Sequence, residues 1–164
     1  MKEIKSAILA GIFFGVLAGV FLAFRTSINY ALIAGPISGL LFGVTIYFFA
    51  TSKIVKRQTQ IEVPDGTSIL YSDGANHFKN GEGVGGKFYL LTDRLQFQSH
   101  NFNIQNHGLT IDIGQIKDVS LCNIFGLVPT GLAITTLDGK KEKFVVGSRK
   151  VWKKEIEKLM RITT

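Results

Sequence analysis

Side chains able to do chemistry are few in this chain of 164 residues: three histidines, one cysteine and one glycine-rich run. His77, His100 and His107 carry the donor atoms of metal ligands. No cysteine or carboxylate cluster accompanies them at a recognised metal spacing, so hydrogen bonding in loops and at strand edges is expected of them. Residues 81–86, Gly-Glu-Gly-Val-Gly-Gly, have the composition of a phosphate cradle. Such a cradle needs a helix after it to aim backbone amides at the anion, and here a strand pattern follows, so a flexible loop between strands is expected. Cys122 falls within another strand pattern and reads as a small buried side chain. No Ser/His/Asp or Cys/His nucleophile signature occurs in a usable context. The expectation is a protein that is not an enzyme and holds no metal and no cofactor.

Charge offers a second kind of chemistry. The net charge is +7, and residues 140–161 alone hold nine Lys/Arg against Glu142, Glu155 and Glu157. A basic face of that kind suits anionic lipid or another acidic partner. Nucleic acid is not expected, because no base-reading motif is present. Within that stretch Lys140, Lys141, Arg149 and Lys150 are candidate headgroup contacts, whereas a solvated helix face accounts for Lys158 and Arg161.

The elements that must position these residues begin with a membrane hairpin over residues 1–50. Residues 6–24 and 30–50 are uncharged runs of 19 and 21 residues. Each is long enough to cross ~30 Å of hydrocarbon as a helix. The first run is too long for a signal peptide, lacks a cleavage site and is followed at once by a second span. Lys2, Lys5, Lys53, Lys56 and Arg57 lie on one side of the spans and Arg25 on the other, which predicts cytoplasmic termini in a plasma or inner membrane. Gly11, Gly15 and Gly19 recur every fourth residue in the first span, and Gly35, Gly39 and Gly43 in the second. Each set lines one helix face, and a turn near Ser27 brings the two faces to matching depths. Packing within the hairpin is the simpler use of such small residues; packing between two chains is the other. Pro36 is a candidate kink in the second span.

Residues 51–60 read as a short basic linker, and from residue 61 the long apolar runs give way to short alternating ones. Phe88 and Leu90, then Leu95 and Phe97, alternate around a Thr92-Asp93 turn as in a β-hairpin. Further alternating runs at 109–113, 116–121, 132–134 and 144–146, with an opening strand near 68–78, make about seven strands. Trp152, Ile156, Leu159 and Met160 mark one amphipathic helix after them. The fold class expected is α+β: a two-helix transmembrane hairpin, then a partly open seven-stranded antiparallel β-barrel over residues 61–164, capped by a C-terminal α-helix.

Residues 85–107, GGKFYLLTDRLQFQSHNFNIQNH, resemble the second-to-third strand hairpin of the GRAM domain, a family of the pleckstrin-homology-like superfold. Asp138-Gly139 followed by KKEKFVV, then Arg149 and Trp152, is similar to that family's closing strand and helix. The resemblance covers about residues 65–160 and implies a noncatalytic domain that binds phosphoinositides, other anionic lipids or partner proteins. It also implies that the loops after the first, third and sixth strands share an open end, which Lys79, Lys87, Lys140 and Lys141 would surround with His100 and His107 nearby. Ile124, Phe125, Leu127 and Val128 form an unusually apolar loop. They either cap the barrel end or reach the membrane interface or a partner. Two functions fit: a membrane-anchored module contacting anionic phospholipid headgroups at the cytoplasmic leaflet, or a tethered protein-interaction scaffold without specific lipid binding.

Overall fold

Two apolar helices open the chain, α1 (Lys2–Arg25) and α2 (Ile28–Thr51). In this computed structural model every residue is described except Met1, Asn80, residues 125–127 and Thr164. Ser27 separates the two helices and caps the second, its side chain accepting the Tyr30 amide at 3.3 Å. The glycine stripes face each other. A Cβ added at Gly11 would lie 2.7 Å from the Gly39 carbonyl oxygen and 3.2 Å from Gly43 Cα; one at Gly39 would lie 2.6 Å from the Gly11 oxygen. The helices therefore meet backbone to backbone, with a Phe14–Phe42 stack at 4.4 Å beside them. α2 runs unbroken through Pro36. The large apolar side chains point outward, with Leu9, Phe13, Leu32 and Leu40 each about two-thirds exposed or more.

A short helix, α3 (Lys53–Gln58), follows. The linker is thus helical where an extended connector is the simpler expectation. It contains neither Gly nor Pro over 51–58, and Ser52 starts the helix by accepting the Ile54 amide at 3.2 Å on its hydroxyl and the Lys56 amide at 3.0 Å on its carbonyl. The chain divides into two compact units, residues 1–56 and 57–164.

The second unit contains seven antiparallel strands: β1 (Ile69–Lys79), β2 (Glu82–Leu91), β3 (Arg94–Ser99), β4 (Gly108–Asp112), β5 (Ile116–Ile124), β6 (Val128–Thr136) and β7 (Lys141–Val146). Their order across the sheet is β4-β3-β2-β1-β7-β6-β5. The first strand therefore pairs with the last, His77 opposite Phe144, while β4 and β5 remain as edges. α4 (Arg149–Thr163) packs on β5, β6 and the 3-10 turn Ile113–Gln115.

Inward positions follow the period of two, with Phe88 opposite Phe97 and Leu90 opposite Leu95, all essentially inaccessible. The helix adds Trp152 and Ile156 to the same core. Phe88 stacks on Phe144 at 4.3 Å and on Trp152 at 4.7 Å, and Tyr71 meets Trp152 edge-on at 4.9 Å. Arg149 ties the helix start to the sheet by donating to the carbonyls of Cys122 at 3.1 Å and Gly131 at 3.3 Å.

Two readings of single motifs change. Of the glycine-rich run, only Gly81 lies in a turn; residues 82–86 belong to β2 and are all paired with β1, and Gly86 is paired with β3 as well. Gly86 is there for space, since a Cβ would clash with the Gln98 carbonyl and lie 2.7 Å from the Phe97 ring. Cys122 is half-buried rather than buried, with Sγ over Gly131, where an added Cβ would come within 2.5 Å of it.

Candidate functional site

The strand registers bring three connections to one end of the barrel. β1 ends at Lys79 where β7 begins, Phe78 opposite Lys143, so the β1–β2 turn and the β6–β7 turn lie together. The start of β2 lies against the end of β3, Gly86 opposite Ser99, which adds the 100–107 loop.

Under these loops runs a chain of polar contacts. Lys140 Nζ lies 2.8 Å from Glu142 Oε1, Glu142 Oε2 lies 2.8 Å from His77 Nε2, and His77 Nδ1 lies 2.8 Å from His107 Nε2. His77 is 2% exposed and Glu142 9%. The alternation of β1 and β7 that buries Ala75, Phe144 and Val146 carries both polar side chains inward. His77 stacks on Phe144 at 4.6 Å and packs beside Phe97. The proton positions follow from chemistry. An ionised Glu142 only accepts, so His77 Nε2 donates to it. Neutral His77 then accepts at Nδ1, and His107 Nε2 must donate. His107 Nδ1 is buried with no partner in hydrogen-bond geometry among the described residues, although the Gln105 backbone beside the ring favours its protonated form.

Burial pushes the imidazoles of His77, His100 and His107 below the ordinary histidine value; the Glu142 carboxylate opposes this at His77, and the Lys79 charge adds to it at His107. Glu142 is itself desolvated, which raises its carboxyl, yet hydrogen bonds from Lys140 and His77 bring the net shift below the ordinary range. His77 gives its two nitrogens to different partners, and no metal-holding cluster occurs among the described residues.

The candidate cations separate. Lys79, Lys140 and Lys141 lie at this end and are exposed, but Lys140 is engaged by Glu142 and sits beside Asp138. Lys87 is not at the open end. It lies on the outer face of β2 with its ammonium 4.9 Å from the centre of the Tyr89 ring, and Tyr89 in turn donates to the Thr59 carbonyl at 2.7 Å. Arg149 and Lys150 stand at the far end of the β6–β7 hairpin, where Arg149 is committed to its two carbonyls and Lys150 is exposed. Lys154, Lys158 and Arg161 extend Lys150 into an exposed basic stripe along α4, while Lys153 turns to Glu157 at 2.5 Å.

Of the apolar loop candidates, Ile124 is buried at the end of β5. Phe125, Leu127 and the side chain of Val128 lie outside the described residues. The apolar side chains exposed at the loop end are instead Phe102 and Ile104 on the 100–107 loop, with Leu137 in the β6–β7 turn. The signal of Phe102 and Ile104 in the sequence is two large apolar residues interleaved with Asn101, Asn103 and Gln105, a pattern that alone does not say which side faces water.

Comparison with known proteins supports the architecture. The structure resembles the Vps36 N-terminal PH domain (TM-score 0.53, 13% identity, covering 65% of this chain and 88% of that one). It also resembles the C-terminal domain of an unknown protein from Leishmania infantum (TM-score 0.51, 14% identity, 58% and 85% covered). The Slm1 PH domain solved with inositol-4-phosphate is more distant, at a TM-score of 0.42 and 9% identity over 59% of this chain and 98% of that one. No family model and no curated protein matches the chain. At these identities the likeness establishes a PH-domain-like fold and nothing finer.

Proposed function

We propose that this protein is a noncatalytic module of the GRAM type, anchored by its helical hairpin and contacting anionic phospholipid headgroups at the cytoplasmic leaflet. The observation that carries the reading is the outward apolar surface of α1 and α2, joined in sequence to a PH-like domain whose exposed cations lie on the loop end and along α4. Helices of this length with their large side chains outward need hydrocarbon around them. The GRAM assignment is supported by the match of residues 85–98 to β2 and β3 and of residues 138–146 to the last turn and β7. Basic groups near an anionic leaflet contribute ~1 kcal/mol each and orient a domain without a specific lipid pocket.

The test is amine-reactivity footprinting of the full chain in nanodiscs of phosphatidylcholine, with and without an equal part of phosphatidylglycerol. Lys79, Lys141, Lys150, Lys154 and Lys158 lose reactivity severalfold in the anionic discs and regain it at high salt, because exposed charges are screened within ~3 Å at 1 M. Equal reactivity in both discs sinks the headgroup contact and favours the protein-scaffold function. Topology is read from a cysteine at Ser27, which labels from the side opposite the termini.

A further inference from the structure

We propose that Phe102 and Ile104 form an apolar wedge that enters the interfacial layer of the bilayer on which the protein is anchored. Ile104 is 94% exposed and Phe102 61% exposed, on a loop that is otherwise closely held. Between them the Asn103 side chain makes four hydrogen bonds, one of them from Nδ2 to His100 Nδ1 at 3.3 Å. Its Oδ1 accepts the Gly85 amide at 2.8 Å, and its Nδ2 donates to the carbonyls of Gly85 at 2.8 Å and His100 at 2.7 Å. The His107 amide donates to Ser99 Oγ at 2.9 Å and closes the loop base. The two apolar side chains are thus displayed by a fixed loop, and little ordering is needed when they dock.

Three further features select a bilayer as the occupant. Residues 95–111 contain no Asp, Glu, Lys or Arg in a chain that is 19% charged, so no ion is dehydrated when the loop enters the interface. Burial also disfavours the charged forms of His100 and His107. Chain connectivity then limits the distance. The Asn101 amide donates to the side chain of Gln58 at 3.0 Å, which pins the loop to a residue only seven beyond the end of α2. Seven residues span at most ~25 Å even when fully extended. Apolar side chains beside asparagines suit this layer, where an apolar tip enters and amides stay hydrated.

The inference rests on the anchoring read above, and the experiment separates the two. An environment-sensitive nitrobenzoxadiazole dye is attached at Ile104→Cys in a Cys122→Ser background. The full chain is then studied in phosphatidylcholine nanodiscs, in discs with an equal part of phosphatidylglycerol, and in amphipol, which has no bilayer. In both discs the emission shifts to the blue and iodide quenching falls severalfold relative to amphipol, while a dye at Lys117→Cys on the β5 edge does not change. Shielding in the uncharged discs alone upholds the wedge even if the anionic contact fails. A dye as quenchable in discs as in amphipol overturns the wedge with the anchor intact and leaves the tip to a protein partner; failure of the chain to enter discs overturns both. Hydrogen exchange of residues 100–107 in the unsubstituted protein gives an independent reading, severalfold slower in discs than in amphipol, and equal rates count against the wedge.

Discussion

The two halves of this molecule are held together by opposite means. The hairpin coheres by the absence of side chains: at Gly11, Gly15, Gly35 and Gly39 a single added carbon meets backbone of the other helix at 3.0 Å or less. The barrel coheres by their bulk, with Phe88, Phe97, Phe144 and Trp152 filling its centre. The contrast follows from the surroundings. Water drives large apolar groups inward, whereas lipid, the setting proposed above for the hairpin, rewards them no less outside a helix pair than inside, so only close approach remains to be gained. Damage should therefore come from removing atoms in one half and from adding them in the other.

The largest effect is expected from Phe144→Ala, which takes a ring from between Phe88 and His77 and costs about 3–5 kcal/mol of barrel stability. Denaturant unfolding followed by the emission of Trp152 measures it. Gly39→Val tests the opposite rule. Its Cβ would fall 2.6 Å from the Gly11 carbonyl oxygen, and overpacking of this kind costs about 1–3 kcal/mol. Energy transfer between dyes at Glu3→Cys and Thr51→Cys, lost at a lower detergent concentration than in the parent, reports the separation. If Gly39→Val changes nothing in the full chain, backbone contact is not what joins α1 to α2.

Acid sharpens the comparison, because buried ionisable groups are found in the barrel. His77 and His107 have folded values below the ordinary 6.5, so the unfolded chain binds protons first. Their contribution is complete above pH 6.5 and is lost as pH falls toward the folded values. Glu142, also lowered, contributes above 4.5 and is lost below it. The melting temperature of the barrel should fall from about pH 6.5 downward, with a shallower slope in His77→Gln, while the energy-transfer signal of the hairpin stays level. The smallest effect is expected from Glu157→Gln, which breaks a half-exposed ion pair with Lys153 worth about 0.3–0.5 kcal/mol.

The hairpin was the more legible half. Two uncharged runs and a glycine every fourth residue leave few arrangements, and an antiparallel turn at Ser27 puts the stripes at one level. The strands and the closing helix were legible too, since their alternation sets the inward face and hence the Phe88, Phe97 and Trp152 core. The site was much less so. Nothing in the spacing of His77, His107 and Glu142 links them; only the β1–β7 register and the return of the 100–107 loop do. For the same reason Lys140 and Arg149 read as free cations in the sequence, although one is held by a carboxylate and the other by two carbonyls. Ile124 and Ile104 look alike as isoleucines near loops, and which of them is buried depends on the loop they belong to.

The adjacency of β1 and β7 also sets an order of events during synthesis. The hairpin is complete at residue 51, so α1 and α2 can pair well before the sheet has been made. The sheet has no such freedom. Its central partner for β1 is the last strand to emerge, and until residue 146 has left the ribosome β1 and β6 each keep an unpaired edge. With the hairpin anchored as proposed above, the nascent domain waits half-assembled while already fastened to the bilayer. Such fastening would keep that incomplete sheet apart from others during its most aggregation-prone interval.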